Sequence, residues 1–200
     1  MEPREGLLTF RAEGNNLLNS HFYSRKLHWP GISSYCDKYG SGVTIGRGYD
    51  MKHRSPNRVI RDLISSGIPI EKAKLIAEGA NKSHCNARDF VKEKRNKIED
   101  ITEIQQLRLF ELTYKDYVID SIRFYNKYRK KDSIAWEKLH PILKDVFIDM
   151  KYQGVLNQKM VPIFGRNQKN DVIDLIKGNI VILSFEQGRG RISYIQGGMP

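Results

Sequence analysis

Cysteine is scarce in this chain: Cys36 and Cys85 are the only two in 200 residues, and they lack metal-ligand spacing such as CxxC. So small a number excludes a disulfide framework, and the pair reads as two inert free thiols in preference to a bridge. The five histidines are scattered, with no pair four residues apart, so no metal site is expected. No apolar run approaches the roughly 20 residues that span a bilayer, which argues against membrane insertion. The opening MEPREGLLTFRAEG carries early acids and no apolar h-region, so no secretory signal is read there. A glycine-rich phosphate loop opening a helix is missing as well, and no cofactor is expected.

Acidic residues are also in deficit. Lys and Arg total 34 against 23 Asp and Glu, a net charge of +11. Such a field attracts polyanions: nucleic acid, anionic lipid or an acidic wall polymer. None of the usual nucleic-acid recognition motifs is present, and the aromatic residues follow buried helical spacing, so no nucleic-acid partner is expected. The length suffices for one domain, or a main lobe with a smaller one, around a sizeable core.

What is present is mostly helix. A short helix is expected from Pro3 to Ala12, stopped by Gly14-Asn15-Asn16, which leaves Glu13 at its C-terminal end. The negative end of the helix dipole disfavours a carboxylate there, which suits a proton donor better than a structural acid. Residues 15–41 are polar and lack helical periodicity. In Ser41-Gly42-Val43-Thr44-Ile45-Gly46-Arg47-Gly48-Tyr49-Asp50 the alternation around Thr44 and the three glycines predict a small β-hairpin. Ser55-Pro56 then opens a helix that Gly67 closes. Further helices are expected at about 69–78 and 83–97. A long one capped by Thr102 buries Leu107, Phe110, Tyr114, Val118, Ile122 and Tyr125. Pro141 opens a helix that Gly154 ends, with Leu143, Val146, Phe147 and Met150 inward, and shorter helices follow near 157–163, 169–177 and 180–196. The fold class is therefore α+β and mostly α-helical, divided into a small lobe over 1–55 and a helical lobe over 56–200.

Glu13, Thr44 and Asp50 make a set that could hydrolyse a glycosidic bond. One carboxyl protonates the leaving oxygen, while a hydroxyl and a second carboxylate hold and activate water. Spacing alone does not single them out among 23 acids. The words around them do: Arg11-Ala12-Glu13-Gly14 followed by the 41–50 stretch resembles the phage-type lysozymes. It is most similar to their pesticin-like branch and to lysozyme-like toxin domains delivered by bacterial secretion systems, the type VI system among them. The resemblance covers about a quarter of the chain. It implies a lysozyme-like fold in which Glu13 is the general acid, Asp50 orients or deprotonates a water, and Thr44 Oγ1 holds that water. One departure stands out: ordinary phage lysozymes place their second acid before the threonine, where Lys38 stands here with Asp37 beside it. Asp37 is therefore the rival to Asp50.

The resemblance implies a muramidase that cuts the β-1,4 bond between N-acetylmuramic acid and N-acetylglucosamine in peptidoglycan. Inversion is the expected outcome, with retention open should Asp50 attack directly. It also implies an antibacterial role in the periplasm or wall of a target cell and a cognate immunity protein as partner. A secretion system, or other parts of a longer protein, would deliver the chain. Around the trio, Arg47 and Tyr49 are expected to line the groove, and Gln153 is a further substrate-contact candidate. Trp29, in His28-Trp29-Pro30, is either a platform for a sugar or a packing anchor. The rival functions are a lytic transglycosylase and a basic nucleic-acid-binding module.

Overall fold

The computed structural model describes residues 1–200. Helices dominate, and the single sheet is a two-stranded antiparallel ribbon, so the chain is α+β. In order the elements are α1 (Leu7–Ala12), β1 (Thr44–Ile45), β2 (Tyr49–Asp50), α2 (Pro56–Ser65), α3 (Ile70–Ala77), α4 (His84–Lys94) and α5 (Glu103–Tyr128). Then follow α6 (Pro141–Gln153), α7 (Val161–Gly165), α8 (Lys169–Gly178), α9 (Ile180–Ser184), α10 (Glu186–Arg189) and α11 (Arg191–Ile195). Short 3-10 helices occupy Ser33–Lys38 and Trp136–Lys138. No helix is long and apolar enough to cross a membrane.

The element ends follow from local chemistry. Ser55 Oγ accepts the Arg58 N–H at the start of α2, with Pro56 at the first helical position. Thr102 and Gln105 form a reciprocal capping box before α5: Gln105 N–H donates to Thr102 Oγ1, and Thr102 N–H to Gln105 Oε1. Gly154 ends α6 in the left-handed region at φ 83°, where a side chain would be strained.

The chain divides into two compact units, residues 1–3 with 13–113 and residues 4–12 with 114–200, and it passes between them after Pro3, after Ala12 and within α5. A ribbon with two residues per strand cannot stand alone, and it recruits the helices that follow it. Val43, Ile45, Tyr49 and Met51 share one core with Val59 and Leu63 of α2, Ile76 of α3, Phe90 of α4 and Leu109 of α5. Full burial of each such side chain contributes roughly 1.5–3 kcal/mol, so the ribbon's geometry is fixed by the helices beneath it.

In the second unit, Tyr125, Trp136, Phe147 and Phe164 meet edge to face, and Leu143, Val146 and Met150 of α6 are fully buried. Arg191 Nε donates to Asp149 Oδ2 at 2.6 Å with both side chains fully buried, and Arg189 Nη1 donates to Asp149 Oδ1 at 2.8 Å.

Three expectations are corrected. The inward side of α5 is turned about one position from the predicted stripe. Phe110, Tyr114 and Tyr125 are buried, but Leu107, Val118 and Ile122 are only half-buried, while Gln106, Thr113 and Ser121 lie inside. Thr113 makes this tolerable by donating to the Leu109 carbonyl. The expected helix over 180–196 breaks into α9, α10 and α11, the last break falling at Gly190 with φ 64°. Finally, Cys36 and Cys85 are not free thiols: they form a disulfide, with Cα atoms 4.9 Å apart. Their spacing in sequence carried no trace of the fact that the 33–38 helix lies against α4.

Candidate functional site

Glu13 directly follows the last residue of α1, as expected. What the sequence did not show is how the chain beyond it is tied to the ribbon. Gly14 takes φ +142°, and a Cβ there would lie 2.7 Å from Ser24 Cβ, so only glycine fits. The Ser24 carbonyl in turn accepts the N–H of Gly46 at the turn of the ribbon, at 2.8 Å. A second tie comes from Arg47 at the same turn, whose Nη1 donates to the Gly14 carbonyl. Ser24 N–H also donates to the Asn15 carbonyl at 3.2 Å, so two hydrogen-bond routes, through Ser24 and through Arg47, bind the Glu13 corner to the tip of the ribbon.

Thr44 and Asp50 face each other across that ribbon, Thr44 pairing with Asp50 and Ile45 with Tyr49. Directly opposed residues of an antiparallel pair project from the same face, so the hydroxyl and the carboxylate are neighbours by register. They lie two residues from the Gly46 turn, which is about 7 Å of strand. The three predicted residues are thus carried on one hairpin and the corner tied to its tip.

Asp50 and Thr44 have defined bonding. Asp50 Oδ2 accepts the Gly42 N–H at 3.1 Å and Oδ1 the Lys52 N–H at 2.8 Å, which fixes the carboxylate plane while leaving lone pairs on both oxygens. Gly42 must be glycine, since a Cβ there would lie 2.2 Å from Asp50 Oδ1. Thr44 is buried, and its Oγ1 donates to the Gly42 carbonyl at 3.1 Å. Its proton is spent, so toward a water this hydroxyl acts as an acceptor. Asp37 lies elsewhere, exposed on the 33–38 helix that the disulfide fastens to α4.

Other sequence candidates land differently. Tyr49 does not line a groove. It is 1 % exposed and donates to Asp62 Oδ2 at 2.8 Å, and burial holds its phenol well above the usual range. The inward side of a two-residue strand is the reason: Ile45 and Tyr49 face the helices together. Arg47 is buried too, and desolvation pushes its guanidinium down to about 10, opposed by the charges of Glu13 and Glu103. It remains a cation at neutral pH, and one that acts on Glu13. Trp29 is half-buried, donating Nε1 to the Ser41 carbonyl at 3.0 Å and standing edge-on to Tyr39. Gln153 belongs to the second unit, where its Oε1 accepts from Arg191.

Sequence reasoning missed His28. It pairs with Thr44 through reciprocal backbone hydrogen bonds, and its Nδ1 lies 2.8 Å from the Lys26 carbonyl. A carbonyl can only accept, so Nδ1 carries the proton and Nε2 is left as an acceptor. Burial pushes this imidazole below its ordinary value; the Lys26 carbonyl and the Asp50 charge oppose that, and Arg95 reinforces it. The backbone pairing of His28 with Thr44 has no signature in the sequence. No group of three or more His, Cys, Asp or Glu side chains is placed to hold a metal ion.

Residues 6–177 match DUF8812, described as a domain of unknown function, and the chain belongs to that family. No curated protein matches it.

Proposed function

We propose that this member of the DUF8812 family is a glycoside hydrolase of lysozyme-like fold that cuts peptidoglycan glycan strands between N-acetylmuramic acid and N-acetylglucosamine. One observation carries the reading. The Thr44–Asp50 register puts a hydroxyl and a carboxylate on one face of the ribbon, and Gly46 and Arg47 tie the ribbon's tip to the corner that bears Glu13.

In this reading Glu13 delivers the proton to the leaving oxygen. A water donates one hydrogen to Thr44 Oγ1 and the other to Asp50, which leaves a lone pair aimed at the anomeric carbon. Asp50 takes the proton as the bond forms. Because Thr44 spends its own proton on Gly42, it cannot compete for that lone pair. Attack by water from the face opposite the leaving group inverts the anomeric centre. Arg47 stays behind the corner as a positioning residue.

The disulfide agrees with action outside the cytoplasm, since such bonds persist in oxidising compartments such as the periplasm. The periplasm or wall of a target bacterium is the proposed place of action, and the basic surface suits an anionic wall.

Purified peptidoglycan digested by the wild type and by Glu13→Gln tests this reading, with fragments identified by mass spectrometry. Reducing-end muropeptides from the wild type, and a loss of about 10²–10⁴-fold in the variant, are expected. Anhydro-sugar ends would make the enzyme a lytic transglycosylase, and an intact wall would remove the reading altogether.

A further inference from the structure

Beside Asp50 the chain folds so that two nitrogen-bearing side chains converge on one glycine. Gly40–Gly42 runs along the β2 side of the ribbon, and the missing Cβ of Gly42 lets it pass close: that atom would lie 2.6 Å from Lys52 Cβ and 2.7 Å from Lys52 N. The start of α4 is tied to the same segment, because Gly42 bridges Ser83 and the His84 N–H donates to the Ser41 carbonyl at 3.1 Å. These ties bring the tips of Lys52 and His84 to one point. A Cβ placed on Gly40 would lie 3.3 Å from Lys52 Nζ and 3.5 Å from His84 Nε2.

Neither tip is spoken for. Lys52 is half-buried, and no carboxylate lies within ion-pair distance of its Nζ. His84 takes its own Ser83 hydroxyl at Nδ1, 2.9 Å away, which leaves Nε2 directed at Gly40. The Asp50 carboxylate is held by the backbone N–H groups of Gly42 and Lys52 and not by these side chains. Nothing on Gly40 projects between the tips. A cation and a ring nitrogen that meet over a bare glycine present two nitrogen groups to which a carboxylate can bind.

We infer that Lys52 and His84 form a specificity subsite over Gly40 that receives a carboxylate carried by the glycan, one step along the ribbon from Asp50. Within the proposed function this names what the site reads besides sugar. The carboxylate of a peptide stem, or the lactyl carboxylate of a muramic acid stripped of its stem, has the required chemistry; a plain N-acetylglucosamine oligomer has neither. The subsite thus selects muramyl glycan over uncharged glycan.

The test is calorimetric binding to the Glu13→Gln protein, in which turnover is stopped. Three ligands are used: a stem-bearing muropeptide, a stem-free muramyl oligosaccharide and an N-acetylglucosamine oligomer. Adding Lys52→Met and His84→Gln should lower the affinity ratio of a carboxylate ligand to the neutral one about tenfold, as expected for loss of a charge-assisted contact. Lys52→Arg should restore most of it. Whichever of the two muramyl ligands responds identifies the source of the carboxylate. An unchanged ratio, with both ligand types still bound, would overturn the subsite and leave the hydrolase reading standing. Charge-dependent binding by a wild type that leaves the wall intact would do the reverse. Failure of all three ligands to bind would overturn both.

Discussion

Arg47, at the turn of the ribbon, donates a guanidinium hydrogen bond to the carbonyl of Gly14, the residue that follows Glu13. A buried cation is thereby held beside the proposed proton donor, and the two charges act on each other. The contact secures geometry, yet its electrostatics oppose the chemistry. A nearby cation favours the ionised carboxylate, and a general acid must be protonated.

From this conflict comes a signed prediction. On the proposed mechanism, wall lysis should fall on the alkaline side, where a general acid no longer holds its proton. In Arg47→Met that basic limb should move to higher pH, because the cation that acts on Glu13 is gone. The maximal rate should fall at the same time, because the corner loses an anchor worth about 1.5–3 kcal/mol. The pH profile of wall lysis checks it. A fallen rate with an unmoved limb would reduce Arg47 to a purely structural anchor.

Asp50 and Asp37 can be separated in the same way. Asp50 is positioned by the Gly42 and Lys52 N–H groups, opposite Thr44, whereas Asp37 is exposed on the 33–38 helix. Asp50→Asn keeps the shape but cannot take a proton from water, and should lower the rate about 10²–10⁴-fold. Asp37→Asn should stay within about twofold of the wild type, since surface substitutions away from a site rarely act on it. Initial rates on labelled peptidoglycan decide it, and the opposite ranking would transfer the second acid to Asp37.

The site was legible in the sequence where its chemistry is local, and illegible where it depends on packing. Gly42, Gly46 and Gly48 announced the ribbon, and a stop after Ala12 announced the place of Glu13, because turn chemistry is written in neighbouring residues. Ser55-Pro56, Thr102 and Gly154 marked helix ends for the same reason. Which side of β2 faces water is not local. Tyr49 and Asp50 alternate, and only the helices beneath the ribbon decide that Tyr49 turns in to Asp62. The ties from Gly14 to Ser24 and Arg47, the pairing of His28 with Thr44, and the closeness of Cys36 to Cys85 are all contacts between distant segments, invisible to periodicity. The polar residues inside α5 misled differently: Gln106 lies on the buried face because Ser24 and Asn16 satisfy its amide.

The disulfide closes a long loop that contains the whole ribbon, and it fastens the 33–38 helix to the first turn of α4. Closure of such a loop restricts the unfolded chain by roughly 3–4 kcal/mol. At about 2–4 °C per kcal/mol for a chain of this size, Cys36→Ser with Cys85→Ser should melt on the order of 10 °C below the oxidised wild type. Reduced wild type should match the double variant in a thermal melt followed by circular dichroism. Equal melting of the oxidised and reduced forms would mean that the 33–38 segment holds its place without the bridge.

His28 makes folding depend on pH in a direction opposite to that of a histidine with an acidic partner. Burial is the main cause that lowers its proton affinity in the folded state, with Arg95 adding to it, against the Lys26 carbonyl and Asp50. Above the ordinary value of 6.5 both states carry a neutral ring and folding is unaffected. As pH falls below 6.5 the unfolded chain takes up the proton first, so stability declines, by at most about 1.4 kcal/mol per pH unit. The decline stops once the folded form is protonated as well. His28→Gln has no proton to gain there, so its loss of stability between pH 8 and pH 5 should be smaller than that of the wild type. Urea titrations at the two pH values measure both losses, and the difference isolates His28 from the other groups that titrate in this range. If the two proteins lose stability equally, the ring is not desolvated in the folded chain, and its hold on the strand of Thr44 is through the backbone alone.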